Sequence, residues 1–243
     1  MCIKTPFARA PFPDDDGVQS TVMSDPRWPK VLSLTVHEFR TPMTVVSGYI
    51  RMLLKERAGA ITDQQRRLLE EAEKSCGRLA ALVAEVSELS NLEGGTLTFN
   101  RQQTDVRAAV RAAAAALPPL PDREIALDLE LADGPAMLDG DPVRLAQAFT
   151  AVFAALRREL VTSDRLIVRE VSAAGGPFEL RIGDAATLAA IDADRTWPVF
   201  DEWRGGVGLS LAVARRLIDA HGGRIHGAPG DGKAGAIVTL PLA

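Results

Sequence analysis

The chain has 243 residues, 47% hydrophobic and 25% charged, with a net charge of −4. It can therefore bury a core as one large domain or two small ones, and it offers nucleic acid no overall basic field. No apolar run approaches the roughly 20 residues that span a bilayer, and the amino terminus has no stretch of signal-peptide type. Cys2 and Cys76 make neither a metal spacing nor a disulfide framework. These features predict a cytoplasmic protein with no membrane span and no membrane sensor of its own.

Residues 1–26 carry Pro6, Pro11, Pro13 and Pro26 and the acidic run Asp14–Asp16, the composition of a flexible tail too short to form a sensory domain. A helical hairpin is expected over 27–95. Its first helix spans about 28–57, with Pro29 in the first turn and a stripe from Val31 and Leu34 to Val45, Val46, Tyr49, Ile50 and Leu53. Pro42 lies inside it and leaves the Glu38 carbonyl without its helical donor, so a bend is expected just after His37. After Ala58-Gly59-Ala60, Thr62 caps a second helix over about 62–93. Its apolar residues recur at three- and four-residue steps from Leu68 to Leu89 until Gly94-Gly95 stops it. One hairpin covers this stripe on one side only, so two copies are expected to form a four-helix bundle, which makes the protein a homodimer.

From 96 to 243 strands and helices alternate. Strands are expected at 97–100, 125–131, 136–138, 165–171, 178–182, 224–227 and 236–240, and helices at 105–117, 141–160 and 209–221. The fold class is α+β, an α/β sandwich with a mixed sheet and helices on one face.

His37 sits in Ser33-Leu34-Thr35-Val36-His37-Glu38-Phe39-Arg40-Thr41-Pro42. A neutral imidazole keeps a lone pair for nucleophilic attack, and the adjacent Glu38 carboxylate can hold the other ring nitrogen's proton. Thr41 lies one turn on, along the same face. This box resembles the phospho-acceptor box of the two-component sensor histidine kinases. The resemblance implies that His37 takes phosphate, that Glu38 assists, and that Thr41 could orient water to dephosphorylate a partner.

Residues 96–243 resemble the ATP-binding domain of the same kinases, a GHKL-type sandwich shared with gyrase and the Hsp90 chaperones. The resemblance implies ATP and Mg²⁺ as cofactors. Asp141-Pro142-Val143-Arg144-Leu145 leads into the asparagine box, but the position of the magnesium-holding asparagine is Ala155, whose methyl group cannot ligate a hard cation. Arg158 retains the basic residue that follows. Asp184 stands where the family's adenine-binding aspartate stands, yet the two glycines after it are Ala186 and Leu188. The second glycine box is present as Gly206 and Gly208, opening a helix whose N–H groups suit phosphate. Trp197-Pro198-Val199-Phe200 reads as core packing, His221 as a helix cap and His226 as a surface residue. No histidine has a metal partner at a useful spacing, and no metal-ligating set is expected.

Two functions follow. One is a histidine kinase that phosphorylates His37 from ATP and passes phosphate to an aspartate of a response regulator receiver domain. The other is a non-catalytic dimeric phosphotransfer or docking module, phosphorylated by a separate sensor or complete histidine kinase. The missing asparagine and first-box glycines argue against ATP and Mg²⁺ and leave enzymatic activity open.

Overall fold

The computed structural model describes residues 28–172, 175–194, 196–203, 208–229 and 234–242. The tail expected over 1–26 and the glycine at Gly206 lie outside the described residues.

Two long helices come first, α1 (Trp28–Leu54) and α2 (Asp63–Glu93). The first stops short of residue 57 because the chain turns left-handed at Glu56 (φ 56°). Arg66 then reaches back to the Leu54 carbonyl at 3.2 Å, filling one of the acceptors a helix end leaves bare. Thr62 starts α2 with a full capping box: its hydroxyl accepts the Gln65 N–H, and the Gln65 side chain accepts the Thr62 N–H. Two rungs fix the pairing of the helices. Arg51 meets Glu73 at 3.2 Å, and at the open end the Ser90 hydroxyl donates to the Pro29 carbonyl at 2.7 Å. Within the chain the hairpin buries only Val36, Ile50 and Ser90, while Val31, Leu34, Val45, Val46, Tyr49, Leu68 and Leu79 remain exposed.

The sandwich follows as β1 (Gln102–Asp105), α3 (Val106–Ala115), β2 (Ala126–Glu130), β3 (Met137–Gly140), α4 (Pro142–Glu159), β4 (Arg165–Glu170), β5 (Phe178–Gly183), α5 (Ala185–Ala193), α6 (Ser210–Ala220), β6 (Arg224–Gly227) and β7 (Ala236–Leu240). The main sheet has the order β2-β4-β5-β7-β6, with β2 and β4 parallel and the other neighbours antiparallel; β1 and β3 form a separate antiparallel pair. Residues 97–100 are not the expected strand. Their amides are used elsewhere: Leu97 donates to Asn91, and Asn100 to the Asp141 carboxylate.

Alternation along the strands gives the sheet two apolar faces. Ala236, Val238 and Leu240 of β7 enter the main core with Phe149 and Phe153 of α4 and Leu217 of α6, whereas Ile237 points to the other side. There it meets Leu188 and Ile191 of α5, a helix the sequence reading omitted. The expectation of helices on one face is therefore corrected: α3, α4 and α6 cover one face and α5 the other. Arg181 ties α5 to the sheet through Asp192 and also pairs with Glu179 at 2.8 Å. Trp197 joins this second cluster and lies 5.7 Å from the His226 ring, so His226 is half-buried rather than a surface residue.

Asp141 joins the sandwich's parts. Its carboxylate caps α4 by accepting the Val143 and Arg144 amides and also takes the Asn100 amide. Burial works against its charge, but those three amides prevail and hold it below the usual carboxylate range. Its own N–H donates to Nε2 of His221 at 3.0 Å, and Nδ1–H of His221 donates to the Leu217 carbonyl at 2.7 Å. His221 therefore does more than cap its helix: it is a buried neutral imidazole with both nitrogens used. Burial pushes its pKa below the ordinary 6.5.

That depressed pKa has a sign. The unfolded chain binds the proton more tightly, so His221 leaves stability intact above its unfolded pKa and erodes it as pH falls from about 6.5 towards the folded value. Urea denaturation should show wild-type stability falling over that interval by more than in His221→Gln. The variant should also be about 1–3 kcal/mol less stable near pH 7, because the Asp141 amide loses its partner.

Candidate functional site

His37 stands on the exposed face of α1, its side chain 75% accessible. Nδ1 lies 3.5 Å from Oε1 of Glu38, itself 73% exposed, a contact at the outer limit of a hydrogen bond. A carboxylate only accepts, so in this pairing Nδ1 carries the proton and Nε2 keeps its lone pair towards solvent. Thr41 is exposed on the next turn. The three residues expected to carry the chemistry thus share one accessible helix surface. Helix α1 runs through Pro42 without interruption.

The residues expected around a nucleotide are not brought together. Gly208 and Arg158 line one cavity of about 710 Å³ between α2, α4 and the start of α6. Gln147, Thr150 and Ala151 of α4 are among the others on its sandwich wall, and its hairpin wall includes Arg78, Leu82 and Glu85. Asp184 is not part of it. Its carboxylate instead accepts the Thr187 N–H at 2.8 Å and so caps α5.

Thr187 then fills the adjoining space. A Cβ built on Gly183 would come 2.8 Å from the Thr187 side chain, and one on Gly235 would come 2.4 Å from it. Leu188, where the resemblance expects a glycine, is 1% exposed in the second core cluster. Ala155 is wholly buried in the main core. Of the groups the resemblance assigns to a nucleotide, one Asp184 oxygen caps α5, Thr187 packs against Gly183 and Gly235, and position 155 offers no oxygen to a metal ion. Among the described residues no group of three or more His, Cys, Asp or Glu could hold a metal ion.

The hairpin's part in the cavity escaped the sequence reading. Three acids on α2 face the sandwich. Glu88 pairs with Arg144 and accepts from Gln147 at 2.7 Å, Glu93 meets Arg216 at 2.5 Å, and Glu85 accepts the Leu209 N–H at 2.9 Å. The available signal was the recurrence of acids beside the apolar residues Leu82, Leu89 and Leu92. It could not be decoded without knowing which surface lay opposite.

The architecture is a helical hairpin with an exposed histidine joined to an α/β sandwich, and known proteins share it. Residues 30–95 match the His Kinase A (phospho-acceptor) domain. The chain is 27% identical over 214 residues to the sensor protein GacS of Pseudomonas syringae pv. syringae, covering 81% of this chain and 23% of that protein. It is 26% identical over 205 residues to the sensor protein DivL of Caulobacter vibrioides, covering 81% and 26%. Against the signal transduction histidine-protein kinase BarA of Escherichia coli K12 the identity is 29% over 211 residues, covering 81% and 23%. The chain spans about a quarter of the length of these curated relatives. Its fold resembles that of full-length ShkA in complex with AMPPNP, with TM-score 0.63, 23% identity, and coverage of 88% of this chain and 46% of that one. It also resembles the Acinetobacter baumannii histidine kinase AdeS, with TM-score 0.54, 21% identity, and coverage of 85% and 97%. Residues 30–95 thus carry a His Kinase A phospho-acceptor domain, and over about four fifths of its length the chain is similar to two-component sensor histidine kinases. Among the described residues no helix is long and apolar enough to cross a membrane.

Restoring the family's asparagine alone should not restore a nucleotide site. Ala155→Asn would place an amide in a fully buried position and should cost about 1–3 kcal/mol in a urea unfolding series. Titration calorimetry with ATP and Mg²⁺ should register no new binding in that variant.

Proposed function

We propose that this chain is a histidine-kinase-like phosphotransfer protein of two-component signalling, with His37 as the phosphate carrier and a response regulator receiver domain as the recipient. The contrast that supports this reading is that His37, Glu38 and Thr41 are present and open to solvent, while Asp184 caps α5, Thr187 packs against Gly183 and Gly235, and position 155 is an alanine. The phosphate therefore comes from a partner, either a complete histidine kinase or a phosphorylated receiver, and the chain works in the cytoplasm.

In the transfer, Nε2 of His37 attacks phosphorus, the N–P bond forms, and the P–O bond to the donor breaks with its electron pair leaving on the donor oxygen. The Nδ1 proton stays on the ring, where the Glu38 carboxylate offsets the positive charge that develops. The reverse attack by a receiver aspartate oxygen breaks the N–P bond and regenerates neutral His37. Residues 27–95 serve as the acceptor and dimerisation hairpin. Its exposed apolar stripe supports a homodimeric four-helix bundle, since a second copy presents the same stripe. Residues 96–243 form a sandwich that no longer turns over ATP.

Incubating the purified full chain with a complete histidine kinase and labelled ATP, or with a phosphorylated receiver domain, tests this reading. Acid-labile label should appear on the wild type and be absent from His37→Gln, and Glu38→Gln should slow labelling by about 10²–10³-fold. Efficient labelling by ATP alone, with no partner present, would overturn the partner-dependent part. An unlabelled wild type under both conditions would overturn the carrier role.

A further inference from the structure

The joint between hairpin and sandwich holds an unusual pairing. The first amides of a helix have no partner within it, and together they carry the positive end of the helix dipole. At the start of α6 the Leu209 amide is satisfied from the other domain, by Oε2 of Glu85 at 2.9 Å. We propose that Glu85 is an internal anion that occupies the amino end of α6, keeps other anions from it, and so latches the sandwich to the hairpin.

The surroundings fit that role from both sides. Gly208 has φ +70°, and a Cβ there would come 2.8 Å from Leu82 Cδ2 and 3.0 Å from Glu85 Oε2. The backbone can approach the carboxylate this closely because position 208 has no side chain. The neighbouring acids Glu88 and Glu93 meet guanidinium groups, whereas Glu85 meets a backbone amide. Burial raises the Glu85 pKa, the Leu209 amide opposes that rise, and the nearby Glu88 charge adds to it. The carboxylate is thus held where its charge is costly, and the amino end of α6 offsets part of that cost.

The position along the hairpin matters too. The Ser90–Pro29 and Arg51–Glu73 rungs bracket the bundle, and Arg40 and Thr44 share a cavity wall with Ala80, Val83 and Ala84. One turn before Arg40, His37 lies level with the turn of α2 that bears Glu85. The latch therefore sets the sandwich beside the acceptor level while leaving His37 itself open. This inference does not depend on His37 carrying phosphate, and its test reads no phosphate transfer.

Hydrogen–deuterium exchange resolved at Leu209, combined with small-angle X-ray scattering of the full chain, tests it. In Glu85→Ala the Leu209 amide should exchange at least about tenfold faster, and the scattering envelope should widen. The Val213 amide, bonded inside α6 to the Leu209 carbonyl, should be unchanged. Glu85→Gln keeps the shape and an acceptor but loses the charge, so it should also speed exchange at Leu209. Gly208→Ala perturbs the joint from the sandwich side and should widen the envelope. Leu209 protection equal to wild type in Glu85→Ala would overturn the latch, and full protection in Glu85→Gln would overturn the role of the charge. Far-UV circular dichroism confirms that each variant is folded.

Discussion

One buried carboxylate organises the sandwich. Asp141 accepts amides from the connecting segment and from the first turn of α4, while its own N–H reaches the imidazole at the end of α6. The chain leaving the hairpin, the central helix and the glycine-box helix therefore converge on a single residue. A neutral His221 is part of the arrangement, because the Asp141 amide needs a lone pair to point at. The structure would hold together less well with a charged ring there, and burial keeps the ring uncharged.

Around that joint two halves of a family pattern have parted. The acceptor surface of α1 has kept every expected group, and they stand within one turn of each other. Where the resemblance sets a glycine-rich stretch, the chain forms a helix: Asp184 caps α5, and Leu188 and Ile191 are core. A helix that lays two apolar residues on the sheet and ties Asp192 to Arg181 is a stable alternative to a glycine-rich loop. With Ala186 and Leu188 at the positions where the resemblance expects glycines, the segment has a helical surface to pack on the sheet.

Much of this was legible in the sequence. The three- and four-residue apolar recurrence gave both hairpin helices, and Thr62 and Gly94 marked the limits of α2. Strands β4, β5, β6 and β7 were found because their alternation and bounding glycines are local signals. Two features were missed for non-local reasons. Residues 97–100 alternate like a strand, but the Asp141 carboxylate and the Asn91 carbonyl claim their amides first. The nine residues of α5 are nearly uniform in polarity from side to side, so no helical stripe announced them. The acceptor box was readable because its chemistry is written in consecutive residues. The cavity between α2 and α4 was not, since Arg78, Glu85 and Arg158 are brought together only by docking of the two halves.

The Ser90 rung has a mechanical meaning. Its hydroxyl grips the Pro29 carbonyl one turn before α2 gives way to the connection into the sandwich. The first turn of α1 and the last turn of α2 are therefore clamped side by side at the open end of the hairpin. A torque applied near Trp28 reaches the root of the sandwich across one serine side chain. It need not travel down the 27 residues of α1 and back up α2, so the hairpin works as a short crank rather than as a long spring.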